Sequence, residues 1–192
     1  MSMTRRDEVI RHLGSPRCAR EIREMTGFQR KTVETILARA TKAGIVRCIT
    51  PRARQSRLYA LTTLGRLMRL ERVPESRHDR PYDEEIPWDL YAWVQAGRYR
   101  RLALKHLRNR LRPRTLRQAI KADYERIGMT HVYGVLRELK VRALVLERDG
   151  TWALTALGRE LRRLAFPEIS RTATGPAGWE PIDRARDTQG RQ

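Results

Sequence analysis

Guanidinium groups are the side chains of this sequence best equipped for chemistry, and the chemistry they suit is anion binding. Of the 41 basic residues only five are Lys (Lys31, Lys42, Lys105, Lys121 and Lys140). The remainder present a planar donor fork that matches phosphate oxygens or the edge of guanine. Their spacing is informative: Arg30, Lys31 and Arg39 fall at helical intervals, Arg52, Arg54 and Arg57 crowd one turn, and Arg98-Tyr99-Arg100-Arg101 forms a run. A GC-rich genome also enriches Arg. The net charge of +19 is therefore the firmer signal, because such a field concentrates polyanions and drives salt-dependent binding.

Other chemistry lacks its residues. There is no P-loop, no dinucleotide fingerprint and no zinc-type pair of ligand clusters, and His12, His78, His106 and His131 have no Cys or carboxylate at ligand spacing. A binding protein is expected, not an enzyme, with no catalytic, cofactor or metal site. Cys18 and Cys48 read as inert thiols, the other reading being a redox switch. No apolar run approaches the roughly 20 residues of a membrane span, and charged residues follow the N-terminal segment where a signal peptide would be apolar. A cytoplasmic, nucleoid-associated protein without a membrane partner is the expectation.

The charge is segmented. Residues 1–72 carry 17 basic and 6 acidic side chains, 73–96 carry 2 and 6, 97–166 carry 18 and 6, and 167–192 carry 4 and 4. Two basic regions thus flank an acidic connector. They are copies of each other: Tyr59-Ala60-Leu61-Thr62-Thr63-Leu64-Gly65-Arg66 returns 93 positions later as Trp152-Ala153-Leu154-Thr155-Ala156-Leu157-Gly158-Arg159. Ile10–Leu13 matches Leu104–Leu107 at an offset of 94, Cys18–Glu21 matches Thr115–Gln118 at 97, and Thr32–Leu37 matches His131–Leu136 at 99. Residues 1–72 are read as one domain, 73–87 as an acidic linker with Pro74, Pro81 and Pro87, 88–166 as an aromatic helix plus a second domain, and 167–192 as a disordered tail.

Each copy reads as helix, helix, helix, hairpin, helix, giving a mainly α fold with small β-hairpins. Thr4 with Asp7 caps the first helix, and Gly14-Ser15-Pro16 stops it. A second helix opens near Cys18, or near Thr115 in the other copy, where Thr115-x-x-Gln118 has the form of a capping box. The third helix, about Gln29 to Ala43, places Val33, Ile36, Leu37 and Ala40 on one stripe; Val132, Val135, Leu136 and Leu139 repeat it. Asp149-Gly150 between β-rich segments marks a tight hairpin turn. From Trp88 a helix places Trp88, Tyr91 and Val94 on one face, either a dimer surface or a face packed on its own domains.

Thr26-Gly27-Phe28-Gln29-Arg30-Lys31-Thr32-Val33, the Lys42-Ala43-Gly44-Ile45-Val46 turn and the Tyr59-x-Leu61-Thr62 exit resemble the winged helix-turn-helix superfamily of the MarR, ArsR and PadR-like type. The pairing of two units is similar to archaeal tandem winged-helix regulators. The resemblance covers about residues 5–72 and 98–165. It implies a third helix lying in the major groove of double-stranded DNA and a hairpin, the wing, on the backbone or minor groove. Carried over, the contacts are Gln29, Arg30, Lys31, Thr32, Glu34, Thr35 and Arg39 on the first recognition helix and Arg52, Arg54 and Arg57 on its wing. In the second copy they are Thr130, His131, Tyr133 and Arg137, together with Arg100 and Arg101. The second wing offers Glu147 and Asp149 beside Arg148, so that copy is either a weaker DNA reader or a structural, protein-contacting one. The leading expectation is a sequence-preferring transcriptional regulator. The alternatives are a non-specific DNA-organising or replication-initiation protein, and an adaptor that contacts transcription-machinery protein; homodimerisation stays open.

Overall fold

The computed structural model describes residues 3–71, 73, 79 and 82–166. Most of the connector between 72 and 81, His78 among it, and the tail expected to be disordered lie outside the described residues. The described chain is mainly helical with two small antiparallel sheets, and no helix in it is long and apolar enough to cross a membrane.

In the first half, α1 (Arg5–Arg11) is capped as its sequence predicts, with Thr4 and Asp7 exchanging side-chain and backbone hydrogen bonds. A 3-10 turn over His12–Gly14 ends it. A two-residue strand β1 (Arg17–Cys18) precedes α2 (Ala19–Thr26) and α3 (Arg30–Lys42). Then come β2 (Val46–Cys48), β3 (Leu58–Leu61) and α4 (Thr63–Leu70). Strand β1 pairs with β3, making a three-stranded sheet in the order β1-β3-β2. Val9, Ile10, Leu13, Ile22, Val33, Leu37 and Ala40 form the core beneath it.

After α5 (Trp88–Ala96), the second half runs α6 (Arg98–His106), α7 (Pro113–Lys121), α8 (Met129–Val141), β4 (Val145–Arg148), β5 (Thr151–Leu154) and α9 (Ala156–Ala165). Asp149 and Gly150 both adopt positive φ, 52° and 68°, the turn that the twist of a two-residue hairpin favours. Where the first half has β1, the second has a single bridge from Leu111 to Trp152.

One expectation is corrected. α7 starts at Pro113, with Arg112 in the N-cap position, so Thr115 sits inside the first turn and closes no capping box. Proline at the first helical position costs nothing because its missing N–H would have no partner there, and its fixed φ suits the helix. The register follows: Ile22 and Leu116, both buried, stand in equivalent places 94 apart. The extra residues of the second half therefore collect in 122–128, before α8, and not ahead of α7.

The repeated phrase now has a physical cause. Thr62 and Thr155 cap α4 and α9 by accepting from Gly65 N–H at 3.1 Å and Gly158 N–H at 3.0 Å. Each also donates its hydroxyl to the carbonyl of Gly44 or Ala143, both at 2.7 Å. A Cβ at Gly65 would lie 2.1 Å from the Ile45 carbonyl oxygen, and at Gly158 2.1 Å from that of Leu144. Only glycine lets the last helix approach the first strand of the hairpin so closely.

α5 joins the halves. Trp88, Tyr91, Ala92 and Val94 belong to one core cluster with Leu104, Leu116, Leu136 and Leu161 of the second half and with Cys18 and Leu58 of the first. The aromatic face of this helix is thus buried inside its own chain and is not a dimer surface. Tyr91 donates to Glu21 Oε1 at 2.7 Å and accepts from Gln95 at 3.0 Å, while Arg20 donates to the Gln95 side chain at 2.8 Å. Glu21 also accepts from the Cys18 backbone N–H at 2.8 Å, so one carboxylate starts α2 and seats α5.

Candidate nucleic-acid interface

α3 commits Val33, Leu37 and Ala40 to the core, which turns Lys31, Glu34, Thr35, Ala38, Arg39 and Lys42 outward, all exposed. Gln29 holds the N-cap position without a side-chain capping bond, leaving its amide uncommitted to the cap, and Thr32 is half-buried at the edge. Arg30 Nε donates to Glu34 Oε1 at 2.7 Å in the open, a bond that raises the guanidinium pKa further. An exposed i,i+4 pair of this kind is weak because solvent screens it, so Arg30 is readily released to another anion.

Two concave surfaces flank that ridge. One, of about 500 Å³, lies between the start of α1 and α3 and brings Arg5 and Arg6 beside Lys31, Thr35 and Arg39. The other, of about 750 Å³, lies between α2, α3 and the first hairpin, where Arg20, Arg23, Arg30, Arg54 and Arg57 converge with Glu34 and Tyr59. Burial raises the Tyr59 pKa, which keeps the phenol neutral there. The sequence reading missed Arg5, Arg6 and Arg23; Arg20 lines the same surface but is held by Gln95 and Glu24. The signal for Arg23 was present in its spacing, three from Arg20 on an amphipathic helix.

The first hairpin is braced at its base and open at its tip. Buried Thr50 accepts from Leu58 N–H at 2.8 Å, and Arg57 Nε donates to the Ala53 carbonyl at 3.1 Å. Ser56 takes φ 53° to close the loop. Arg52, Arg54 and Arg57 are exposed, and none forms an ion pair among the described residues.

The second half differs. Thr130, His131, Tyr133 and Arg137 are exposed on α8, His131 lying 4.9 Å from the Tyr99 ring. Arg100 and Arg101 do not join them, because both are spent on internal contacts. Arg100 donates to the Trp93 carbonyl at 2.6 Å, lies 4.1 Å over the Trp93 ring and pairs with Glu138 at 3.2 Å; burial lowers its pKa. Arg101 pairs with Glu24 of α2 at 3.3 Å. In the second hairpin Glu147 is bound by Lys140 of α8 at 2.8 Å.

Histidines and cysteines behave as local fittings. His12 meets Glu8 at 3.2 Å and His106 meets Asp123 at 2.8 Å, contacts that ligand spacing did not reveal, and no group of His, Cys, Asp and Glu among the described residues is arranged to hold a metal. Both cysteines are free. Burial, with Glu21 beside it, pushes the Cys18 thiol up to about 12.

Comparison with protein-family models, with curated proteins and with solved structures returned no significant match.

Proposed function

We propose that the chain is a double-stranded DNA-binding protein built from two winged helix-turn-helix units, in which the first unit prefers particular sequences and serves transcriptional regulation at the nucleoid. What carries this reading is the pairing of an exposed, basic α3 ridge with an adjacent hairpin whose three arginines form no ion pair among the described residues. A helix of this kind fits the major groove, where Arg30, Lys31, Thr35 and Arg39 reach base edges and phosphates. Arg52, Arg54 and Arg57 then suit a narrow, electronegative minor groove. The protein binds its ligand and does not transform it.

Fluorescence anisotropy with selected and random duplexes at two salt concentrations tests this. Selected duplexes are expected to bind more tightly, and Arg52, Arg54 and Arg57 changed together to Ala are expected to lower the slope of log affinity against log salt by up to about 2.7, roughly 0.9 for each phosphate no longer neutralised. Equal affinity for all duplexes supports a DNA-organising protein instead. An unchanged affinity in the triple variant removes the wing from the interface.

A second reading has its own observation. At the end of α8 and in the second hairpin Val141 and Leu146 are exposed, Val141 by 88%, and acidic Glu147 and Asp149 follow Leu146 in the chain. That surface favours a protein contact, such as a transcription-machinery subunit, over a polyanion. It is supported if a variant with Val141 and Leu146 changed to Ser keeps full DNA affinity but loses regulation in cells.

A further inference from the structure

The second half carries as much positive charge as the first, yet α8 and the hairpin after it display little of it. At the places where α3 has Lys31, Thr35, Arg39 and Lys42, α8 has Thr130, Gly134, Glu138 and Val141. Arg100, Arg101, Lys105 and Lys140 are each held by a carboxylate. Arg98, Arg126, Arg137, Arg142 and Arg159 are exposed without an ion pair among the described residues, but they are scattered; a closely spaced set of such arginines lies in the segment from α6 to α7.

There Arg108, Arg110, Arg112 and Arg114 alternate with Asn109, Leu111 and Pro113, and all four arginines are exposed. The alternation is imposed by the fold. Leu111 exchanges both backbone hydrogen bonds with Trp152, at 2.9 and 2.8 Å, and its side chain packs on the core, while Pro113 is buried. Residues on either side of an inward residue in an extended chain point outward, so Arg110 and Arg112 share the solvent face. Their Cα atoms stand about 6.7 Å apart, comparable to the separation of adjacent phosphates along a nucleic-acid strand. None of the four forms an ion pair among the described residues. Arg162 sits near Arg108 with its Nε lacking a hydrogen-bond partner among the described residues, and burial followed by the charge of Arg108 lowers its pKa. The first half has Gly14, Pro16 and Cys18 where the second has Arg108, Arg110 and Arg112, and only Arg114 has an arginine, Arg20, at its matching place, so the row as a whole belongs to the second half.

We infer that the second unit holds the sugar–phosphate backbone of the same DNA duplex through Arg110, Arg112 and Arg114, with Arg108 at the edge, and not through α8. This rests on the proposed DNA binding and gives the second unit a role of its own, adding affinity without reading sequence. α6 ties the two units together, since Arg101 on its first turns pairs with Glu24 of α2 and the arginine row begins just past its other end, about 13 Å along the helix axis.

The test compares the full chain with the variant Arg110→Gln/Arg112→Gln/Arg114→Gln on a selected and a scrambled duplex across a salt series, with circular dichroism confirming that the variant is folded. The salt slope is expected to fall by about 2 to 3, affinity to drop by the same factor on both duplexes, and their ratio to stay fixed; Arg→Lys at the same three positions retains most of the slope. A second variant, Thr130→Ala/Tyr133→Ala/Arg137→Ala, is expected to bind as the parent does. If the parent binds duplexes and the Gln variant keeps its slope, or if the α8 variant loses the affinity instead, the arginine row is refuted while DNA binding stands. A parent without affinity for any duplex refutes the DNA reading itself.

Discussion

Replacing Gly158 by Ala sets two effects of opposite sign against each other, and the structure decides which is larger. In an exposed helix interior Ala is better than Gly by about 1 kcal/mol. At Gly158, however, the new Cβ would lie 2.1 Å from the Leu144 carbonyl oxygen, so the helix and the residue leading into β4 must separate by roughly 1.3 Å or more to reach ordinary contact. Forced overpacking of this kind costs about 1 to 3 kcal/mol. The same movement pulls on the bond from Thr155 N–H to Leu144 O, 3.1 Å, and on that from Thr155 to the Ala143 carbonyl, 2.7 Å, each contributing about 1 kcal/mol. With both bonds lost, the net is a destabilisation of about 2 to 4 kcal/mol, or a melting temperature lower by roughly 4 to 16 °C for a chain of this size. Gly134 supplies the control: it too lies inside a helix, but a Cβ there meets nothing within 4 Å, and Ala is expected to stabilise by about 1 kcal/mol. Thermal and urea melts followed by circular dichroism measure both variants. A Gly158→Ala protein as stable as the parent would show that the close approach does not hold the helix in place.

Two further outcomes follow from equivalent positions and from burial. Ala143 takes φ 55° where the first half has Gly44 at 69°, so Ala143→Gly relieves a left-handed strain of about 1 to 2 kcal/mol against an entropic cost of about 0.5 to 1 kcal/mol; a small rise in melting temperature is expected, and a fall refutes the strain. Cys18, buried with its thiol at about 12, is expected to resist a thiol reagent near neutral pH until the protein unfolds, whereas half-buried Cys48 reacts in the native state. Mass spectrometry locates the label, and native labelling of Cys18 at the rate of Cys48 would contradict its burial.

The parts of the fold legible in the sequence are those decided within a few residues. Helical stripes on α3 and α8, the Thr4–Asp7 cap, the helix starts at Thr62 and Thr155 and the Asp149-Gly150 turn all depend on local spacing. The start of α7 is misread because two local signals compete, and the proline at the first helical position prevails over the Thr115-x-x-Gln118 pattern. What stays hidden is non-local. β1 exists only because β3 is beside it, and Glu21 serves α5 through Tyr91, 70 residues away. The Arg98–Arg101 run looks like an anion surface because sequence does not reveal that Trp93, Glu138 and Glu24 claim Arg100 and Arg101. Among the candidate contacts, those on α3 and the first hairpin are exposed side by side, except half-buried Thr32; Arg100 and Arg101 are not exposed.

The duplication separates structural from contact residues more sharply than either half alone. What the halves share are groups that touch backbone or core: Thr62 and Thr155, Gly65 and Gly158, and the buried Val33 and Leu37 with Val132 and Leu136. Where they differ, the residues point outward: Lys31 against Thr130, Glu34 against Tyr133, Thr35 against Gly134, Arg39 against Glu138 and Lys42 against Val141, all exposed. Five changes of chemical type on one helical face alter what the face can bind, while the opposite stripe stays apolar, keeping Val33 and Leu37 as Val132 and Leu136 and exchanging Ile36 and Ala40 for Val135 and Leu139. The eight-residue phrase that makes the duplication visible is therefore evidence about folding. Evidence about ligands lies in the positions that failed to match, which is why Arg108, Arg110 and Arg112 of the second half, opposite Gly14, Pro16 and Cys18 in the first, carry more functional weight than the phrase itself.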